Sequence, residues 1–362
     1  MNTVPNRLRT SRRGASALLR LHLLTALAFV FPGQGSQTVG MGHDVYETSA
    51  AARATFEEAD RVLGYKLSEV CFAGPADRLN DTTVAQPAVL ATSVALFEAM
   101  VESVTQKIGR RVTDGSEPRG VLALPEHLRP SFVAGHSLGE FTALVTAGVL
   151  PFSDALRLVA ERGMLASTRG ARGAMAAIVG LSAEEVERVI TETVQADRVV
   201  VANDNGPRQV TIAGDDDSVR AVTLALEKRG ARKIVPLRIS APFHFPDMGR
   251  IGPDLRSFMQ TLRFREPVVP IVANVSAVPH PSASAIQEAL VRHVSDRVEW
   301  LKSVRYMVER GASTFVEIGA GQVVNGLVKR IADVKLVNVS DTGSLAGALR
   351  TLGDRAHHAM SR

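Results

Sequence analysis

A chain of 362 residues with 45% hydrophobic and 22% charged content can bury a sizeable core, as one large domain or a domain carrying an insertion. Aromatic residues at 5% argue against a nucleic-acid stacking platform, and one cysteine, Cys71, excludes an intrachain disulfide framework and a thiolate metal cluster while fitting a reducing compartment. The net charge of +5 sits in Arg7, Arg9, Arg12, Arg13 and Arg20; the rest of the chain balances its 37 acidic residues with as many basic ones, so no basic binding face is implied.

The first 25 residues form an Arg-rich leader without acidic residues, read as an extended N-terminus or an organelle-targeting peptide. Its apolar part, interrupted by Arg20 and His22, is too short to span a membrane, and no other stretch is expected to cross one. Leu27 to Phe31 reads as a short buried strand ended by the turn PGQGSQ. Helical periodicity covers Asp44 to Leu63 and Ala85 to Val104, and Thr113 to Leu128, broken by Pro and Gly, reads as a surface loop. Then SFVAGHSLGEFTALVTAGVL gives a strand from Phe132, a tight turn over Gly135 to Gly139 and a small-residue helix. Buried strands alternating with helices predict an α/β class with a parallel sheet. Gly173 to Ile239 has another rhythm, strand–helix–strand–strand–helix–strand, which is the split ferredoxin-like unit, and it reads as an insertion. Afterwards PVVPIVANV, a helix around Val298 to Arg310, the strand TFVEIG and a helix over Val323 to Ile331 resume the α/β pattern. The expected division is a leader over 1–25, a discontinuous large subdomain over 26–172 and 240–350, a ferredoxin-like small subdomain over 173–239, and a tail over 351–362.

The chemistry centres on Gly135-His136-Ser137-Leu138-Gly139, a G-x-S-x-G nucleophile elbow between an apolar strand and a helix. Its glycines permit the strained turn that exposes the hydroxyl, and the helix after it aims backbone N–H groups at the same point. A serine hydroxyl needs a base. Of nine histidines, His22, His357 and His358 lie in the leader or tail, and His43, His127, His280 and His293 near expected helix ends or loops. His244 lies in SAPFHFPDM, a Pro-punctuated turn after a buried strand that can present a side chain rigidly. Gly319-Ala320-Gly321 lacks the third glycine and the lysine of a phosphate loop and reads as a structural turn.

FPGQGSQ (Phe31 to Gln37), QPAV (Gln86 to Val89), GHSLGE (Gly135 to Glu140), ERG (Glu161 to Gly163), GAMAAIVGL (Gly173 to Leu181) and APFH (Ala241 to His244) together resemble the malonyl-CoA:acyl carrier protein transacylase family, in its order. The resemblance implies an α/β-hydrolase-like core with a ferredoxin-like insertion. It also implies transfer of a malonyl group from malonyl-CoA, as substrate, to the phosphopantetheine thiol of an acyl carrier protein, supplying fatty acid or polyketide synthesis. Ser137 would be acylated and His244 would shuttle its proton, with the backbone amides of Gln34 and Leu138 as oxyanion hole. Arg162 would grip the malonyl carboxylate, His136 would line that pocket, and Asn203 and Asn205 would face it from the insertion. The carbonyl of Glu299, just before Trp300, would orient His244. Taken as residues alone, Arg162 could be a solvated helix charge beside Arg157 and Glu161, and the two asparagines could merely shape a turn. Bound cofactor, metal, nucleic acid and membrane are not implied; a monomer in the cytoplasm is expected, or in an organelle matrix if the leader is a targeting peptide. Phe245, Asp247 and Ala166 depart from the family pattern, and Phe245 is expected to narrow the acyl pocket. An editing hydrolase, a transacylase for a substituted malonyl group and a non-catalytic carrier-protein binder are the competing functions; Arg162 speaks against the first, because an editor of simple acyl chains gains nothing from a buried cation.

Overall fold

Every residue of the first strand, β1 (Ala26–Phe31, ALAFVF), is buried, as a strand covered on both faces requires. It is the centre of a parallel sheet completed by β2 (Phe132–Gly135), β7 (Ile271–Val272), β8 (Ala312–Ile318) and β9 (Lys335–Val339), in the order β7-β2-β1-β8-β9. A second, antiparallel sheet contains β3 (Ala174–Val179), β4 (Val199–Gly206), β5 (Gln209–Gly214) and β6 (Lys233–Pro236), in the order β4-β5-β3-β6. The computed structural model describes residues 26–107, 120–195, 197–237, 239 and 241–360, without the side chains of 354–360. The leader reading, over 1–25, lies outside these residues.

Eight helices build the site and its surroundings: α1 (Thr82–Lys107), α2 (Gly139–Thr146), α3 (Phe152–Arg169), α4 (Ala183–Thr193), α5 (Asp216–Lys228), α6 (Ala283–Arg292), α7 (Trp300–Glu309) and α8 (Val323–Ile331). Helix α1 corrects the expectation that no further stretch could cross a membrane. Its length and composition suffice, but 94% of its most apolar window is buried inside the fold, where the main core covers it on all sides. Helix α3 lies close against the start of α1: a Cβ on Gly163 would come within 2.9 Å of the Thr82 carbonyl oxygen. That approach brings Arg162, the preceding residue, to Gln86 of α1. Of the loop expected over Thr113 to Leu128, the part up to 119 lies outside the described residues, and the rest carries two short 3-10 turns, Gly120–Ala123 and Glu126–Leu128. A last helix, Thr342–Met360, runs through the position where the tail was expected to begin.

In the small sheet one face is covered by α4 and α5. Ala176, Ile178, Val201, Val210 and Ile212 pack there with Val186, Val219 and Val222, while Met175, Ala202 and Ala213 face the main core. Each buried Val or Ile contributes about 1.5–3 kcal/mol relative to exposure. Helix α4 starts on the capping box SAEE: the Glu185 amide donates to Ser182 Oγ at 3.2 Å, and the Ser182 amide to Glu185 Oε2 at 2.7 Å. Strict alternation along β4 would send Asn203 to the helix side with Val199 and Val201. A register shift between Val201 and Asn203 interrupts that alternation and sets Asn203 opposite Thr211, away from the helices.

Candidate active site

Two loops at the carboxyl ends of adjacent parallel strands meet here: Pro32–Gln37 after β1 and His136–Leu138 after β2, the position where α/β sheets open a crevice. The second loop is very tight. A Cβ on Gly135 would lie 1.8 Å from the Gly139 carbonyl carbon, so only glycine fits there. Ser137 sits at φ 49°, a left-handed conformation that costs a non-glycine residue on the order of 1–3 kcal/mol and persists only where the surroundings over-determine it. Hydrogen bonds do so: the His136 amide donates to Phe31 O (3.0 Å), the Gly139 amide to His136 O (3.0 Å) and the Ser137 amide to Asn274 Oδ1 (2.8 Å).

His244, buried and at φ 64°, faces this turn. Its Nε2 lies 2.8 Å from Ser137 Oγ and its Nδ1 2.9 Å from the Asp296 carbonyl oxygen. A carbonyl only accepts, so the proton sits on Nδ1 and Nε2 is free to accept from the serine hydroxyl. The orienting carbonyl is therefore that of Asp296 and not, as expected, that of Glu299. Glu299 immediately precedes α7, and its carbonyl already accepts from the Ser303 amide and hydroxyl, both at 2.9 Å. Aligned with the helix axis, it has no lone pair to offer His244. The turn three residues earlier faces the ring instead, and the His244 amide also donates to Val294 O at 2.8 Å. Burial first, and then the charge of Arg162, push the His244 pKa down to about 3.

Arg162 is 2% exposed. Its Nη1 donates to Gln86 Oε1 at 2.8 Å, its guanidinium lies 4.1 Å from the ring centre of Phe243 and 5.8 Å from that of Phe141, and its Nε and Nη2 have no partner among the described residues. Burial lowers its pKa to about 9, which leaves it cationic at neutral pH. A buried cation with two unpaired N–H groups has the chemistry to receive an anion. The ring stacked on it belongs to Phe243; Phe245, singled out in the sequence, is buried one turn further on, at the start of the 3-10 segment Pro246–Ile251.

His136 Nε2 lies 2.6 Å from Asn205 Oδ1, and its ring stands edge-on to Trp300 at 5.5 Å. Burial lowers its pKa, so it is neutral. Asn205 Nδ2 donates to Thr211 Oγ1 at 3.2 Å, and the backbone of Asn203 pairs with Val298. Strand β4 of the small sheet thus docks directly on the elbow and on the segment that orients His244. Arg297 strengthens that junction through Val201 O (3.0 Å) and an ion pair with Glu187. The Gln34 side chain donates to Thr82 Oγ1 at 3.2 Å. Among the described residues, the Gln34 and Leu138 amides donate to no backbone carbonyl, which leaves both available for an oxyanion. At Gly319–Gly321 no phosphate cradle forms: Glu317 takes the Val324 and Asn325 amides at the start of α8, at 2.9 and 2.7 Å.

Sequence reasoning missed Gln86, Glu140, Phe243, Asn274 and Asp296. The first three stand inside the motifs QPAV, GHSLGE and APFH, so their positions were visible and only their contacts were not. His280 and His293, set aside as lying near helix ends or loops, are both buried, and His293 directly follows α6.

The acyl transferase domain family matches residues 28–108 and 123–350. The malonyl CoA-acyl carrier protein transacylase of Bacillus subtilis (strain 168) is 36% identical over 340 residues, covering 93% of this chain and 100% of that protein. Its counterpart from Escherichia coli (strain K12) is 39% identical over 329 residues, covering 90% and 99%. The solved structure of a type II PKS acyl-carrier protein in complex with its malonyl-transacylase matches with a TM-score of 0.79 at 38% identity, covering 90% of this chain and 100% of that one. The fold, the serine turn and the extent of these matches place the chain in the acyl transferase domain family and, within it, among the malonyl CoA-acyl carrier protein transacylases.

Proposed function

We propose that the chain moves a malonyl group from malonyl-CoA to the phosphopantetheine thiol of an acyl carrier protein through a malonyl ester on Ser137. Ser137 Oγ attacks the thioester carbonyl as its proton passes to His244 Nε2, and the Gln34 and Leu138 amides receive the oxyanion. The C–S bond breaks, and the coenzyme A sulfur leaves with the proton from His244. In the second half the carrier thiol gives its proton to His244, its sulfur attacks the ester carbonyl, and Ser137 leaves with that proton. Arg162 pairs with the malonyl carboxylate, and His136 and Asn205 shape the wall beside the serine. The observation that carries this reading is the buried Arg162 with two unpaired N–H groups in the same core as a hydrogen-bonded Ser–His pair. The only cysteine, Cys71, is a free buried thiol, which supports the cytoplasm as the place of action.

Mass spectrometry tests the reading. With malonyl-CoA alone the protein gains one malonyl mass on the peptide that contains Ser137, and holo carrier protein then removes it and becomes malonylated. Release of free malonate at the same rate with and without carrier would replace transfer by hydrolysis.

The depressed pKa of His244 sets the pH dependence. A base must be neutral to accept a proton, and a lowered pKa keeps it neutral further into acid. The rate of malonyl-serine formation at low substrate therefore stays level as pH falls through 6.5, where an ordinary histidine would half-protonate. A descending limb centred near that pH contradicts the buried neutral base.

A further inference from the structure

Beside the elbow lies a buried polar cluster that the transfer chemistry does not use. Glu140 is 1% exposed and Asn274 is 2% exposed. Glu140 Oε2 accepts from the Asn274 amide at 3.0 Å and from Asn274 Nδ2, and Oε1 accepts from His280 Nε2 at 2.7 Å. Asn274 Nδ2 also donates to Gly135 O at 2.8 Å, while its Oδ1 accepts from the Ser137 amide at 2.8 Å. The amide orientation is unambiguous, since both groups facing Nδ2 are acceptors and the group facing Oδ1 is a donor. One side chain therefore ties the last residue of β2 to the nucleophile itself, across a turn held at positive φ. Its own backbone is fixed as well, because the Glu299 amide donates to Asn274 O at 2.8 Å. His293 fills the space between this cluster and His244: its Nε2 lies 3.7 Å from Glu140 Oε2, and its ring stands edge-on to the base at 5.2 Å.

From this geometry we infer that Asn274, locked by the buried Glu140–His280 pair, is the positioning residue that holds Ser137 in its attacking conformation. Both polar atoms of its side chain are taken up by protein groups, so Asn274 acts through the serine backbone. Two different elements supply the lock, Glu140 from the first turn of α2 and Asn274 from the loop after β7, so the elbow is tied to the strand beside it through Asn274. A burial this complete makes the cluster all-or-none: removing one member leaves the others with unmet donors or acceptors.

The inference rests on Ser137 as nucleophile, and rapid-quench measurement of malonyl-Ser137 formation separates the two. No adduct on the wild-type protein would sink the nucleophile assignment; a wild-type adduct formed equally fast by a variant lacking the clamp would sink only this inference. Asn274→Ala, folded by circular dichroism, is expected to form the adduct on the order of 10²-fold more slowly, the cost of misplacing a reacting group by about 1 Å. Its KM for malonyl-CoA should stay within about threefold of wild type, because the Arg162 receptor is intact. An adduct rate within about threefold of wild type, or a loss confined to KM, overturns the inference. A charge exchange decides the matter if Asn274→Ala unfolds. Asn274→Asp keeps the oxygen for the Ser137 amide but sets a second carboxylate against Glu140; adding Glu140→Gln removes that opposing charge while its amide oxygen still accepts from the Asn274 backbone N–H. The double variant is expected to form the adduct about tenfold faster than Asn274→Asp alone, and a double variant no faster than the single one overturns the inference.

Discussion

His244→Ala is expected to slow malonyl transfer by roughly 10⁴–10⁶-fold, and Ser137→Ala to leave no malonyl-enzyme at all, with both variants folded. The size of the effect comes from the geometry. At neutral pH a serine hydroxyl is almost never ionised, so attack depends on a base already in hydrogen-bond contact, and His244 Nε2 stands 2.8 Å from the oxygen. Among the described residues His244 is the base that touches that oxygen; His293, the ring beside it, is held well below the ordinary histidine pKa by burial and packs edge-on against His244. Because the two residues work as a pair, the double variant should be scarcely slower than either single one. The check is single-turnover kinetics with malonyl-CoA on all three variants. If His244→Ala retained more than about a tenth of the wild-type rate, the serine would have another activator and the pair would not be the catalytic unit. A single cooperative melting transition in each variant separates this from a collapse of the turn, since Ser137→Ala removes one hydroxyl and His244→Ala, by leaving a cavity in the wall, lowers the melting temperature without abolishing the fold.

The parts of this site readable from sequence are those where one residue type is forced by local geometry. Gly135 and Gly139 are fixed by a turn too tight for a Cβ, and an apolar run before them with a helix after them is enough to recognise the elbow. The strand–helix–strand–strand–helix–strand order of the small sheet was equally plain, because period-two and period-3.6 patterns alternate over short segments there. What stayed hidden were contacts between residues far apart in the chain. Gln86 and Arg162 are 76 positions apart, and Asn274 and Glu140 are 134 apart; both depend on how elements pack, on which a local pattern is silent. The orienting carbonyl is instructive. Glu299 and Asp296 stand in the same short segment, and the choice between them turns on where α7 begins. Helix ends are the least legible feature of a sequence, so a main-chain contact assigned by motif slipped by three residues. Asn203 and Asn205 show the opposite: alternation would have turned Asn203 toward α4 and α5, and a register shift in β4, not visible in the composition, re-aims the strand.

Arg162→Ala should reverse the enzyme's preference between malonyl and acetyl donors. The guanidinium is buried, has one side-chain hydrogen bond, to Gln86, to offset its desolvation, and rests on the face of Phe243. Two N–H groups remain for a carboxylate, and a planar fork matches its two oxygens where a lysine ammonium would not. In Arg162→Ala the malonyl carboxylate enters an apolar wall unpaired, a loss of about 3–5 kcal/mol by analogy with broken buried pairs, or on the order of 10²–10⁴-fold in kcat/KM. An acetyl group brings no charge, so for it the same change removes an unmet cation and leaves transfer equal or faster. Two further consequences share this cause. The Arg162 charge is the second contributor to the low His244 pKa, so its removal should make His244 easier to protonate and shift any acid limb of the acetyl reaction upward in pH. Arg162→Lys, keeping the charge without the fork, should retain the His244 effect yet bind malonyl less well. The decisive quantity is the ratio of malonyl to acetyl kcat/KM in the three proteins. Should Arg162→Ala depress both donors by the same factor, the arginine would be a support for α1 and α3 through Gln86 and not the receptor of the acyl carboxylate.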